Sequence, residues 1–237
     1  MRKWILASFL LLLSPLCFAQ QILKNDIEFI TGMPFFYGFG EDENEKPVRL
    51  GSRNPSFTGG IGLVSFALSE DNTLGLFLIY EKYYIKAIVY DFPEERLIFN
   101  QANITTAENY QFGVKMQFLE AGKFKFPFMV GFSTLIITAS ANPSLGVTWN
   151  MQRNVVSLFS SGAVELHFNE SIFLFVRLQA TFDIFGTTSM IKYTEVSKIN
   201  GKQAFYIDQY DVQELGYYGV LTPVIGFGLK LNGLFGK

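Results

Sequence analysis

The chain has 237 residues, 49% of them hydrophobic and 26 of them Phe, with a formal net charge of −2. That length suits one large all-β domain, and the near-neutral balance with no basic patch excludes a nucleic-acid partner. A single cysteine leaves no disulfide framework to read.

The N-terminus has the layout of a cleaved secretory leader. Arg2 and Lys3 form a positive start, Ile5–Leu13 is apolar, Ser14-Pro15 breaks it, and Cys17-Phe18-Ala19 ends on small residues, predicting a cut before Gln20. A lipidated Cys17 is the rival, but Ser14-Pro15-Leu16 is a poor lipobox. Residues 1–19 are therefore read as signal peptide and 20–237 as one barrel domain. The domain then has 17 basic against 21 acidic residues and no thiol, as an exported chain without disulfides would. No later apolar run is long enough for a transmembrane helix.

Asp26–Gly38 is the first predicted strand, with Phe29, Met33 and Phe35 opposite Glu28, Ile30 and Gly32, and Pro34 inside it. Glu41–Pro55 is polar and reads as a long loop. Phe57–Leu68 is the second strand, Val64, Phe66 and Leu68 alternating with Leu63, Ser65 and Ala67. After the short turn Ser69–Thr73, Leu74–Val89 places Lys82 and Lys86 with Tyr80 and Tyr84, against Phe77, Ile79, Tyr83 and Ile85. Tyr90–Ala107 is a second long loop.

Asn109–Ile137 carries the clearest pattern. Tyr110, Phe112, Val114, Met116 and Phe118 alternate with Gln111, Gly113, Lys115 and Gln117. Beyond Glu120-Ala121-Gly122-Lys123, Phe124, Phe126, Phe128, Val130 and Phe132 alternate with Lys125, Pro127, Met129, Gly131 and Ser133. A period of two means strands, and the Gly marks a tight hairpin. Thr138–Asn154 reads as a third long loop. Val156–Phe168 sets Leu158, Val164, Leu166 and Phe168 opposite Ser161, Ala163, Glu165 and His167. After the short turn Asn169-Glu170-Ser171, Ile172–Ile184 alternates throughout, with Arg177, Gln179, Thr181 and Asp183 on its polar side and Phe173 and Phe175 intruding there. Gly186–Leu215 is a fourth long loop. Tyr217–Leu231 closes the chain, Ile225, Phe227, Leu229 and Leu231 against Thr222, Gly226, Gly228 and Lys230.

The count is eight strands whose connections run long, short, long, short, long, short, long. An up-and-down antiparallel barrel with one short-turn rim and one long-loop rim is the transmembrane β-barrel pattern. A soluble carrier barrel would alternate too, with its apolar face inside. Eight strands, however, enclose a lumen that side chains just fill, and the greasy faces hold too many Phe rings for it. Large apolar side chains therefore face lipid. The inward set becomes a lumenal polar network of Glu28, Lys82, Lys86, Lys115, Glu165, His167, Arg177, Asp183 and Lys230, whose opposite charges should pair. Tyr37, Tyr83, Tyr84, Tyr90, Trp149, Tyr217 and Tyr218 suggest an interfacial aromatic girdle.

Strand number, loop order and the closing Ile225-Gly226-Phe227-Gly228-Leu229-Lys230-Leu231 resemble the small outer-membrane β-barrel proteins of the OmpA/OmpX/OmpW type. The resemblance is one of pattern over the whole mature chain. It implies a bacterial outer-membrane location, termini in the periplasm, and dealings with outer-membrane lipid and the barrel-assembly machinery. Such barrels usually end on an aromatic residue, whereas this chain runs on through Asn232–Lys237; either Leu231 or Phe235 takes that part, or the assembly signal is atypical.

Chemistry is sparse. His167 is the sole histidine, and Ser161, six residues away on its face, is roughly 20 Å along the strand. The deacylase spacing His-x-Ser is absent from His167-Phe168-Asn169, so a lipid-modifying enzyme is disfavoured. Glu41, Asp42 and Glu43 read as a solvated charge run rather than a metal site. Gly59-Gly60-x-Gly62 lacks the following helix of a phosphate loop and reads as relief of crowding or a bend. No cofactor or metal is implied. The sequence points to a non-enzymatic structural or surface-interaction protein meeting extracellular ligands through its four long loops, with a narrow channel or conduit for small or apolar solutes as the alternative.

Overall fold

The computed structural model describes residues 25–41, 47–52, 56–66, 68–69, 73–85, 87–91, 96–100, 104–144, 147–199, 202–213 and 219–231. The leader and the assembly-signal candidate Phe235 lie outside them, as do Asp42 and Glu43 of the charge run in the first long loop. Thirteen strands occur among the described residues: β1 Asn25–Gly32, β2 Phe35–Glu41, β3 Pro47–Ser52, β4 Phe57–Ser65, β5 Leu74–Tyr84, β6 Ala87–Asp91, β7 Arg96–Asn100, β8 Ile104–Ala121, β9 Phe124–Ser144, β10 Val147–His167, β11 Ile172–Ile199, β12 Lys202–Gln213 and β13 Gly219–Lys230.

Eight of them close a barrel in the order β1-β4-β5-β8-β9-β10-β11-β13, with β13 returning to β1. Every neighbouring pair is antiparallel, so backbone groups are satisfied between strands and no edge is left open in the wall. Short connections gather at one rim. There the β8–β9 turn is closed by Gly122 at φ 63, a left-handed position that glycine enters without a Cβ penalty. Asn25 and Lys230 end at the same rim, where the Lys230 N–H donates to the Ser171 carbonyl at 2.8 Å.

Phe112, Phe124, Phe126, Phe128, Phe132, Leu158, Leu174, Val176, Leu178, Phe182, Ile225 and Phe227 are all exposed on the outer wall. On β11 this belt runs from Ile172 to Ile184, about 40 Å of strand and about 28 Å of height at a 45° tilt, the thickness of a bilayer core. Rings are not confined to the outside. Phe77, Phe159, Phe173 and Phe175 are buried in the lumen. Glycines make room for two of them: a Cβ at Gly226 would strike the Phe175 ring, and one at Gly228 the Phe173 ring.

The four predicted long loops are corrected. Much of their length is strand, continuing the wall beyond the belt. β8, β9, β10 and β11 run on upward; β12 pairs with β11, β2 with β13, β3 with β2, β6 with β3 and β7 with β6. Polarity inverts in this extension. Thr138, Asn150, Gln152 and Asn154 face outward, while Phe36, Ile85, Phe99, Ile137, Trp149, Met151 and Met190 form an apolar core inside. The polar outer face is what gives Thr138–Asn154 the composition of a loop.

Two irregularities join the levels. Pro34, which has no N–H to give a ladder, sits between β1 and β2, where the chain leaves β4 and turns to β3. In β11 the register with β10 shifts between Val156 and Ser157, a bulge that leaves Ile184 and Phe185 both exposed outward. The alternation slips by one residue there, which hides the continuation of β11 through the supposed fourth loop. The aromatic girdle also needs correction: Tyr83 and Trp149 are buried inside. Tyr84 is exposed as expected, and the side chains of Tyr37, Tyr90, Tyr217 and Tyr218 lie outside the described residues.

Candidate functional site

The barrel lumen brings together many ionisable groups. Glu28 on β1 projects inward because Phe29 and Ile27 face out, and Gly62 opposite it on β4 keeps the wall thin; a Cβ there would come 3.4 Å from Glu28 Cβ. Its carboxylate accepts from Arg177 of β11 at 2.5 Å and from Lys115 Nζ of β8 at 3.1 Å. Lys115 also donates to Glu165 of β10 at 2.7 Å, and the His167 ring nitrogen stands 3.0 Å from the other Glu165 oxygen. These groups come from strands on opposite sides of the barrel, so the network crosses the lumen rather than running down one wall. Of the predicted network, Glu28, Lys115, Glu165, His167 and Arg177 are thereby brought together.

Lys230 lies half-buried at the short-turn mouth, its Nζ 6.0 Å from the Phe173 ring centroid. Asp183 sits higher, in a separate pair with Arg153 at 2.5 Å, and accepts from Ser157 at 2.6 Å. Lys82 is corrected: it is exposed on the outer wall opposite Glu108 in register, and the inward residue of β5 is its neighbour Glu81. β5 is apolar on both faces, Leu76 and Leu78 outside and Phe77 and Ile79 inside, so its alternation carries no contrast from which to choose a side. Lys86 lies outside the described residues.

Glu81 anchors a second cluster that sequence reasoning missed. Gln111 donates to it at 2.7 Å and Asn109 at 3.3 Å; Asn109 also donates to the Tyr83 hydroxyl at 2.9 Å and accepts from Ser133 at 2.6 Å. Gln111 and Ser133 stand on the polar side of the clearest hairpin, so its register against β5, Glu81 beside Asn109 and Ile79 beside Gln111, would have revealed the cluster. Arg153 was missed because it falls in the supposed third loop.

Glu28, Lys115, Glu165 and Arg177 are at most 1% exposed. Rings pack over the cations: Arg177 lies 4.6 Å above Phe175, and Lys115 lies 5.7 Å from both Phe66 and Phe173. Above them lies the apolar core of the extension. An ionic layer and an apolar layer thus follow one another along the inside of the barrel. Among the described residues no group of His, Cys, Asp and Glu is arranged to hold a metal ion. Ser161 and His167 are not joined by a hydrogen bond; His167 bonds to Glu165.

The closed antiparallel wall with its apolar outer belt has the overall fold of the outer membrane protein OprG from Pseudomonas aeruginosa, at TM-score 0.55 and 9% identity over 86% of this chain and 95% of that one. The fold is that of an outer-membrane β-barrel. Neisserial surface protein A aligns to this outer-membrane barrel at TM-score 0.47 and 9% identity over 87% of this chain and 97% of the other. The outer membrane protease OmpT from Escherichia coli aligns at TM-score 0.44 and 6% identity over 86% and 96%. No family model and no curated protein matches the chain.

Proposed function

We propose that the protein is a non-enzymatic component of a bacterial outer membrane, exported by a leader cleaved after Ala19, whose lumen is a plug and whose working surface is the strand extension. Its short-turn rim and termini face the periplasm, and the extension faces outside. The observation that carries this reading is the burial of Lys115, Arg177 and Glu28 across the bore. A conducting path would leave such charges wet, because an ion passing them needs either water or their own ligating atoms. Here Glu28 instead takes up Lys115 and the Arg177 Nη2, an ionic link between opposite walls, while Nε and Nη1 of Arg177 have no hydrogen-bond partner among the described residues. Lipid is the partner of the belt, and the barrel-assembly machinery delivers the chain there. The extension, reaching beyond the bilayer, is the part able to meet extracellular ligands.

Single-channel recording in planar bilayers tests the plug. The expected result is no defined conductance steps from the wild-type protein. Stepwise conductance from the wild type would overturn the reading and favour a narrow conduit.

A further inference from the structure

The outer face of the extension carries a groove of about 390 Å³ across β8, β9, β10 and β11, lined among others by Thr105, Thr138, Ser140, Asn150, Gln152 and Ser189. We infer that this groove binds the neutral saccharide head of a glycolipid anchored in the outer leaflet, its acyl chains against the upper half of the belt. The inference rests on the reading of the extension as the outward end of the barrel.

The register builds the site in rows. Thr138, Gln152 and Ser189 stand side by side on three adjacent strands, and Ser140, Asn150 and Ile191 form the next row up. A bulge in β8 pushes Thr105 outward beside them, where its hydroxyl donates to the Thr138 carbonyl at 3.1 Å. Asn150 and Gln152 are exposed, and among the described residues their amides have no hydrogen-bond partner. The groove therefore offers hydroxyls and carboxamides that both donate and accept, together with Ile191 as an apolar patch for the C–H face of a sugar ring.

Among the described residues that line it, none is ionisable. That disfavours a phosphate or carboxylate ligand, which would call for Lys or Arg, and fits a neutral polyhydroxylated one. Height selects the source. Gln152 lies four residues beyond Val156, the last apolar outward residue of β10, about 13 Å along the strand and about 9 Å in height at a 45° tilt. An acyl chain ends below that level and the interfacial layer is about 5–8 Å deep, so a saccharide carried on a lipid head arrives at the groove with its anchor already in the belt.

The test uses the full chain purified from membranes and placed in phosphatidylethanolamine nanodiscs. The discs are prepared with lipopolysaccharide bearing its saccharide, with saccharide-truncated lipopolysaccharide, or with neither. Binding of the free saccharide released by mild hydrolysis is titrated in parallel. The wild type should bind the intact glycolipid and, more weakly, the free saccharide. The double variant Asn150→Ala, Gln152→Ala, changed only at exposed positions, should keep its heat-modifiable fold and lose about tenfold in affinity. Equal binding of intact and truncated lipid, or equal affinity of wild type and double variant, would overturn the inference. The conductance recordings do not depend on this groove, so a failure here leaves the plug reading separately judged.

Discussion

Arg177 and Glu28 meet at 2.5 Å across 149 residues of sequence, from strands β11 and β1 that are separated by β13 in the wall. With Lys115 reaching the same carboxylate from β8, one acid ties three staves of the barrel together. Removing one partner of such a set leaves a buried charge unpaired, which costs more than the pair itself contributes. Lys115→Met should therefore lower unfolding stability by about 3–5 kcal/mol, because Glu28 keeps only Arg177 and Glu165 keeps only His167. Urea titration in micelles, followed by gel mobility of unheated samples, measures the loss. A change below about 1 kcal/mol would mean the lumenal carboxylates are solvated after all.

Gln179 makes the opposite forecast. It is buried in the lumen, and neither its amide oxygen nor its amide nitrogen has a hydrogen-bond partner among the described residues. A buried polar group in that condition carries a desolvation cost that nothing offsets. Gln179→Leu keeps roughly the volume and removes the polar atoms, so stability should rise by about 1 kcal/mol in the same urea titration. A clear loss of stability would count against a dry bore and in favour of a wet one.

Gly228 and Phe173 are coupled by packing. The Phe173 ring occupies the space a Cβ at 228 would need, and it cannot swing aside freely because His167 stacks on it at 4.9 Å. Gly228→Ala should destabilise by about 1–3 kcal/mol through overpacking. Combined with Phe173→Ala, the alanine at 228 should cost far less than it does alone, a coupling that a double-mutant cycle reads directly. Additive losses would show that the glycine serves some need other than making room for the ring.

The parts of this fold that are legible in the sequence are those where one face meets lipid and the other a polar lumen. Ile172–Ile184 and the hairpin around Gly122 have that contrast, and their residues Arg177, Lys115 and Gln111 point inward as the alternation predicts. β5 misleads because both its faces are apolar, which turns Lys82 inward in place of Glu81. The extension is unreadable for a different reason: outside the bilayer the solvent reverses, so the pattern inverts. A polar outer face on Gln152 and Asn150 then looks like loop, and the inward Trp149 looks like an interfacial anchor. Pairings such as Arg153 with Asp183 depend on a register that no local period specifies.

Glu120, beside the short turn, accepts from Lys125 at 2.5 Å, and that hydrogen bond holds its carboxyl below the usual 4.5. A carboxyl depressed in the folded state contributes stability that is fully present above the unfolded value and lost as pH falls through the folded one. The contribution should therefore disappear on acidification below about pH 4.5. Glu120 is half exposed, so the pair contributes only about 0.2–1 kcal/mol. Glu120→Gln should lose that amount at pH 7 and show a shallower stability decline below pH 4.5 than the wild type. Parallel pH curves for the two proteins would remove Lys125 as the cause.

Trp149 gives a spectroscopic reading of the extension's inverted polarity. The chain has 2 Trp, and Trp4 falls in the proposed leader, so the mature protein should emit from Trp149 alone. Its ring is 2% exposed, packed within the apolar core above the belt, with Lys192 Nζ 5.1 Å from its centroid. A girdle tryptophan would touch lipid at the interface and be quenched by brominated acyl chains; a loop tryptophan would be quenched by acrylamide from water. Enclosed in a core with Met151, Met190 and Ile137, Trp149 should resist both quenchers and emit at short wavelength until the extension unfolds. Met190→Ala should open part of that enclosure and raise acrylamide quenching while leaving bromolipid quenching unchanged, since the ring sits above the acyl chains. Strong quenching of the wild type by brominated lipid would return Trp149 to the membrane interface and remove the apolar core from the extension.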